Sequence, residues 1–193
     1  MRLIISLLLA SALLFAERFD VNTPGRIVRP SDPQLAPDGK LIAAIVTRTN
    51  FEENRNDSRI VAIDTAGGVE RVLIHDRRGL AQPRWSPDGT RLAFLAAVDG
   101  KPQIFVLPMS GGEAMAVTRA AQGVQQYAWS PDGAAFAFVT TDEAAPRMGA
   151  ERHNKSFEIA HNDFLTTAAP LPAHLWVVPS SEAGGKARRV TSG

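Results

Sequence analysis

The sequence predicts an all-β chain, a partial β-propeller of about three four-stranded blades. Three observations predict it. The tripeptide Pro-Asp-Gly occurs three times, at Pro37-Asp38-Gly39, Pro87-Asp88-Gly89 and Pro131-Asp132-Gly133. The copies start 50 and 44 residues apart, close to the length of a propeller blade. Each copy sits in the same context of apolar runs and closing glycine pairs. A β-sandwich of short hairpins does not repeat at that length.

The first strand of each unit precedes the tripeptide, at Gln34-Leu35-Ala36, Arg84-Trp85-Ser86 and Ala128-Trp129-Ser130. Proline pre-sets φ at the first corner of a turn, and Asp-Gly provides a side-chain acceptor and a positive φ. Pro37, Asp38 and Gly39 therefore read as a hairpin. So do Trp85, Ser86, Pro87, Asp88 and Gly89, and Trp129, Ser130, Pro131, Asp132 and Gly133. The second strand follows as Ile42-Ala43-Ala44-Ile45, Leu92-Ala93-Phe94-Leu95 and Phe136-Ala137-Phe138-Val139. These runs are apolar without alternation, which predicts burial on both faces between neighbouring blades. A third strand is predicted at Ile60–Ile63, Ile104–Leu107 and Leu175–Val178. After the pairs Gly67-Gly68, Gly111-Gly112 and Gly184-Gly185, a fourth is predicted at Val69–Ile74, Ala114–Thr118 and Ala187–Thr191. Trp85, Trp129 and Trp176 fall on strands and are expected in the core.

The organisation expected is a signal peptide at 1–16, a lead-in at 17–32, and three blades at 33–76, 80–119 and 125–193. Arg2, the apolar run from Leu3 to Phe15, and Ala16 follow the order of a secretory leader. That run is shorter than the ~20 residues of a membrane-spanning helix. A periplasmic or secreted bacterial location is expected, with no membrane span after cleavage. There is no cysteine, so packing alone must hold the fold. The second-to-third strand connection is compact around Asp99-Gly100-Lys101. It is expected to be a polar loop at Phe51–Ser58 and a long insertion at 142–173, and a connection of that length is usually functional.

Of the 193 residues, 21 are basic and 20 acidic, for a net charge of +1. This balance predicts no nucleic-acid partner. His153, Glu158, His161 and Asp163 lie near one another in the insertion, but their spacing matches no metal motif. No metal, cofactor or catalytic residue is assigned. Glu52-Glu53 reads as a solvated loop.

Two segments carry a family resemblance. The opening Arg26-Ile27-Val28-Arg29-Pro30-Ser31-Asp32-Pro33-Gln34-Leu35-Ala36-Pro37-Asp38-Gly39 resembles the start of the propeller in the prolyl oligopeptidase family of serine peptidases, in its acylaminoacyl- and dipeptidyl-peptidase branch. Asn162-Asp163-Phe164-Leu165-Thr166-Thr167, leading to His174-Leu175-Trp176-Val177-Val178, is similar to the same branch. The Trp-Ser-Pro-Asp-Gly repeat also resembles the TolB-type periplasmic propeller. The likeness covers about residues 26–193. It implies a propeller that gates substrate for an α/β-hydrolase domain. No Gly-x-Ser-x-Gly elbow occurs in these residues, so no nucleophile is carried over. The expectation is a non-catalytic propeller portion of an exported serine peptidase, partnered by a hydrolase domain or another protein, with self-association as a further expectation. The alternative is a TolB-like interaction module.

Overall fold

The computed structural model describes residues 27–143, 171–181 and 183–192. The expected leader and the centre of the insertion, with His153, Glu158, His161 and Asp163, lie outside the described residues.

Twelve strands form three four-stranded antiparallel sheets, and no helix occurs among the described residues. The first sheet holds β1 (Val28–Leu35), β2 (Leu41–Asn50), β3 (Arg55–Asp64) and β4 (Glu70–Ile74). The second holds β5 (Ala81–Trp85), β6 (Arg91–Val98), β7 (Lys101–Pro108) and β8 (Met115–Ala116). The third holds β9 (Gln126–Trp129), β10 (Ala135–Thr141), β11 (Ala173–Pro179) and β12 (Arg188–Arg189). Within each sheet the strands neighbour one another in chain order, which is the meander of a propeller blade.

The sheets stack through two apolar layers. Ala43, Ile45 and Ile60 of the first blade meet Leu92, Phe94 and Phe105 of the second. Ala93, Leu95, Ile104 and Val106 on the second blade's other face meet Tyr127, Phe136, Phe138 and Val178 of the third. The middle blade is thus covered on both sides, as the unbroken apolar run of β6 requires. Burying a side chain of this size stabilises by roughly 1.5–3 kcal/mol, so these layers dominate cohesion. In β10, by contrast, buried and half-buried residues alternate. The expectation of two covered faces fails there, because Ala137 and Val139 have no blade in front of them among the described residues.

Two boundaries differ from expectation. β1 begins at Val28, inside the expected lead-in at 17–32. Asp32-Pro33 looks like a break in the sequence but forms a β-bulge between Ser31 and Gln34, with Asp32 at φ 48°. Gln82-Pro83 repeats it one blade on, with Gln82 at φ 50°. Half of the expected loop at Phe51–Ser58 is strand: Arg55–Ser58 belong to β3, and Phe51–Asn54 form the turn. β2 and β3 pair out to Asn50↔Arg55. Polar cross-strand pairs hold this extension: Thr47 with Ser58 at 2.9 Å, and Asn50 Nδ2 donating to Asp57 at 2.9 Å.

The fourth strands are shorter than expected in the second and third blades. Beyond β8, the amide of Val117 still donates to Ile104 O at 2.8 Å. Buried side chains then take over from the ladder. Thr118 Oγ1 accepts from Ile104 N at 2.9 Å, and Gln103 Oε1 accepts from Thr118 Oγ1 and Ala120 N at 2.9 and 2.8 Å.

Candidate functional site: the blade seams and the insertion end

Each motif first closes its own hairpin. Pro87 and Asp88 occupy the two corners, and Gly89 follows at φ 69° with its amide on Ser86 O at 2.9 Å. Ser86 Oγ, fully buried, donates to Asp88 Oδ1 at 2.6 Å and accepts from Arg91 N at 2.9 Å. Asp88 Oδ1 also accepts from Thr90 N at 3.0 Å. The Ser86 hydroxyl and these Thr90 donors hold the Asp88 carboxyl down at about 2. The third blade repeats the pattern through Ser130, Asp132 and Ala134, and Asp132 is likewise lowered, first by Ser130. In the first blade Ala36 replaces the serine, and Asp38 keeps only its bond from Lys40 N at 3.0 Å.

The same residues then join the blades. Trp85 Nε1 donates to Gln34 O at 2.9 Å, and Trp129 Nε1 donates to Arg84 O at 3.1 Å. Gln34 and Arg84 occupy equivalent places, each just before the Trp position of its blade. A Cβ on Gly89 would stand 3.5 Å from Pro37 Cδ, and one on Gly133 would stand 3.5 Å from Pro87 Cδ. The tryptophans expected in the core are therefore half-buried, with the ring against the apolar layer and the N–H spent between blades. Trp176 also packs half-buried against the second layer.

Three contacts had no counterpart in the sequence pattern. Arg91 reaches from the second blade to the third, stacking 4.8 Å over Trp129 and donating to Gly133 O at 2.7 Å and Ser180 Oγ at 3.0 Å. Arg84 pairs with Asp32 at 3.0 Å. Tyr127 donates its hydroxyl to Gln82 O at 2.6 Å, and burial pushes its phenol well above the usual range.

The seams align the blades in one direction. The Pro-Asp-Gly and Gly-Gly turns therefore share one end of the stack, while the β2–β3 turn, the blade connectors and the neck of the insertion share the other. Two clefts reach that second end. The first, about 970 Å³, is lined by Arg48, Arg55, Arg59, Arg77 and Arg78 together with Glu53 and Asp57. Arg55 pairs with Glu53 at 2.8 Å and with Asp57 at 2.7 Å, Arg59 pairs with Glu70 at 3.0 Å, and Arg77 stacks 4.5 Å over Phe105. Asp57 is lowered, first by the Asn50 amide and then by Arg55.

The second cleft, about 520 Å³, adjoins the neck of the insertion and is lined by Phe138, Thr140, Asp142, Trp176 and Arg189 among others. Asp142 N donates to Pro172 O at 2.9 Å and closes the neck. His174, 5% exposed, lies against the Arg189 guanidinium, whose Nη2 is 2.7 Å from Nε2 and 3.1 Å from Nδ1. Its Nδ1 is also 3.2 Å from Thr191 Oγ1, and its Nε2 is 3.2 Å from Asp142 Oδ2. These contacts fasten β11 to the neck.

The repeated seam defines a β-propeller built from Trp-Ser-Pro-Asp-Gly blades. The chain belongs to the TolB beta propeller domain family, whose model matches residues 21–186. It is 38% identical over 74 residues to the uncharacterized peptidase YuxL of Bacillus subtilis, covering 38% of this chain and 11% of that protein. It is 28% identical over 75 residues to dipeptidyl-peptidase 5 of Porphyromonas endodontalis, covering 38% of this chain and 11% of that one. The acylaminoacyl peptidase of Pyrococcus horikoshii has the same fold over 88% of this chain and 26% of its own, with a TM-score of 0.63 at 21% identity. The chain thus matches about a tenth of the length of these curated relatives. It is a propeller of the kind found in peptidase-like proteins. No helix among the described residues is long and apolar enough to cross a membrane.

Proposed function

We propose that this chain is the substrate-gating, non-catalytic propeller portion of an exported serine peptidase, working with a hydrolase domain that lies outside these residues. The observation that carries the reading is the 38% identity over 74 residues to an uncharacterized peptidase, in a chain built as a stack of propeller blades. The absence of a Gly-x-Ser-x-Gly elbow from the sequence supports a gating role over a chemical one. Export is supported by the leader-like order of residues 1–16. The Pro-Asp-Gly repeats act as structural pins in this reading and take no part in chemistry.

Purified chain is to be assayed on N-acyl amino-acid and dipeptidyl substrates and labelled with a fluorophosphonate. The expected result is neither turnover nor labelling. Turnover that survives purification and is stopped by the serine reagent would overturn the proposal. The TolB family match favours a second reading, a protein-binding module, which shares the same negative assay but requires capture of a protein partner that is not a hydrolase.

A further inference from the structure

The connectors between blades are built alike but seated differently. Gly79 and Gly123 stand six residues before Trp85 and Trp129, at φ 66° and 79°. The second connector is fastened to its own blade. A Cβ on Gly123 would meet Pro102 Cδ at 2.7 Å, Val124 N donates to Pro102 O at 2.7 Å, and the buried Gln103 amide binds both ends of Ala120. The first connector lies on the next blade instead. A Cβ on Gly79 would meet Ala97 at 3.4 Å, and Ala97 N donates to Arg78 O at 2.8 Å. Arg59 stands in the place of Gln103, since Val46↔Arg59 and Ala96↔Gln103 are equivalent pairs. Its Nη2 donates to Glu70 on β4 at 3.0 Å, and its buried Nε has no partner among the described residues. Where the second blade is closed by Gln103, the first therefore opens into the cleft of about 970 Å³.

This cleft holds an excess of guanidinium. In the repeat, Val98, Ala121 and Gln122 occupy the places of Arg48, Arg77 and Arg78, so the charge is particular to the first blade. The cleft's acids are already matched: Glu53 and Asp57 pair with Arg55, and Asp76 contacts His75. Among the described residues Arg48, Arg77 and Arg78 form no ion pair. Two of them are held in place, Arg77 by its stacking over Phe105 and Arg78 through its carbonyl. Like charges gathered in one cleft repel, and an anion seated between them removes that cost. Preorganised guanidinium forks match carboxylates in particular.

We infer that the cleft between the first blade and its connector binds an acidic peptide segment. Arg77 and Arg78 receive its carboxylates, Arg48 faces it from β2, and Arg59 turns to give it the unspent Nε. Glu53, Asp57 and Asp76 on the same walls suit the N–H groups of a peptide and oppose the dense charge of a polyphosphate or nucleic-acid backbone. The volume lies at the upper end of the ~300–1,000 Å³ usual for ligand clefts, more than one inorganic anion fills. The inference rests on the cleft and holds whether or not the peptidase reading does.

The test measures binding of fluorescein-labelled tetraglutamate to the 193-residue chain by fluorescence polarisation, with labelled tetraserine as the control. Saturable binding of tetraglutamate alone is expected, weakening as salt is raised. Arg77→Ala with Arg78→Gln installs the residues of the second connector and is expected to weaken binding at least about tenfold, while Arg188→Gln, on the third blade, leaves it unchanged. The native chain supplies a second readout that needs no variant: the Arg Nε–H NMR signals of Arg59 and Arg77 are expected to shift as peptide is added. No saturable binding, an equal loss in Arg188→Gln, or shifts confined to other arginines would overturn the inference. So would inorganic phosphate or a labelled oligonucleotide binding more tightly than the peptide, which would make this a phosphate site.

Discussion

Trp129 donates its indole N–H to the carbonyl of Arg84, 3.1 Å away and one blade back. The ring that carries this bond lies 4.1 Å from Phe136 and beneath the Arg91 guanidinium. Trp129→Phe keeps most of the packing and loses the bond. A stability loss of about 1 kcal/mol is expected, and about 3 kcal/mol for Trp129→Ala. Urea unfolding of the two variants checks the ratio. Trp85→Phe acts on a separate seam and is expected to add to Trp129→Phe within about 0.5 kcal/mol.

Asp88 gives a pH signature. Its ordinary value of 3.8 falls to about 2 in the folded chain, chiefly through the Ser86 hydroxyl. A depressed folded value means that the stability it contributes is fully present above the unfolded value. It is lost as pH falls from about 3.8 toward about 2. The Tm difference between the native chain and Asp88→Asn is therefore expected to be flat from neutral pH down to that window, and then to shrink. Ser86→Ala is expected to move the Asp88 carboxyl upward, read by carboxyl-carbon NMR titration.

Gly123 and Gly100 both have positive φ, at 79° and 76°. Only Gly123 is crowded: a Cβ there would come within 2.7 Å of Pro102 Cδ and 3.1 Å of its nitrogen, while one on Gly100 meets nothing within 4 Å. Gly100→Ala is expected to cost about 1 kcal/mol for the left-handed backbone alone. Gly123→Ala adds overpacking, for a total of roughly 3 kcal/mol. Thermal melts of the pair separate the two terms.

Gln103 is buried and binds both ends of Ala120, with Nε2 on Ala120 O at 2.8 Å and Oε1 on Ala120 N at 2.8 Å. Gln103→Leu fills similar space but strands these groups and Thr118 Oγ1. A loss of about 2–3 kcal/mol is expected in chemical unfolding.

How much the sequence discloses depends on whether the responsible residues repeat. Ser86, Pro87, Asp88 and Gly89 recur as Ser130, Pro131, Asp132 and Gly133, so their hairpins were legible. The indole bond was not, because a tryptophan on a strand looks the same in a core or at a seam. The extension of β2 and β3 over Arg55–Ser58 was missed because its pairing is polar and carries no apolar alternation. Asp32-Pro33 disguised the start of β1, since a bulge uses the same residues as a turn. Arg91 and the pair of His174 with Arg189 occur in one blade each and leave no periodic trace. The family likeness was legible in the repeats together with the opening from Arg26 to Gly39. The substrate it implies was not, because the seams use the same residues whatever passes through the propeller.

The central claim is that one seam, repeated, orders these blades so that β6 and β7 lie between two apolar layers, while the outward positions of β10 and β11 are only half-buried or exposed. Native-state hydrogen exchange resolved by strand tests this most directly. The amides of β6 and β7, flanked by both apolar layers, are expected to be the slowest in the chain. Those of β10 and β11, with Ala137 and Leu175 facing outward, are expected to exchange at least about tenfold faster through sub-global opening. Exchange of β10 and β11 as slow as that of β6 would contradict the stacking order described.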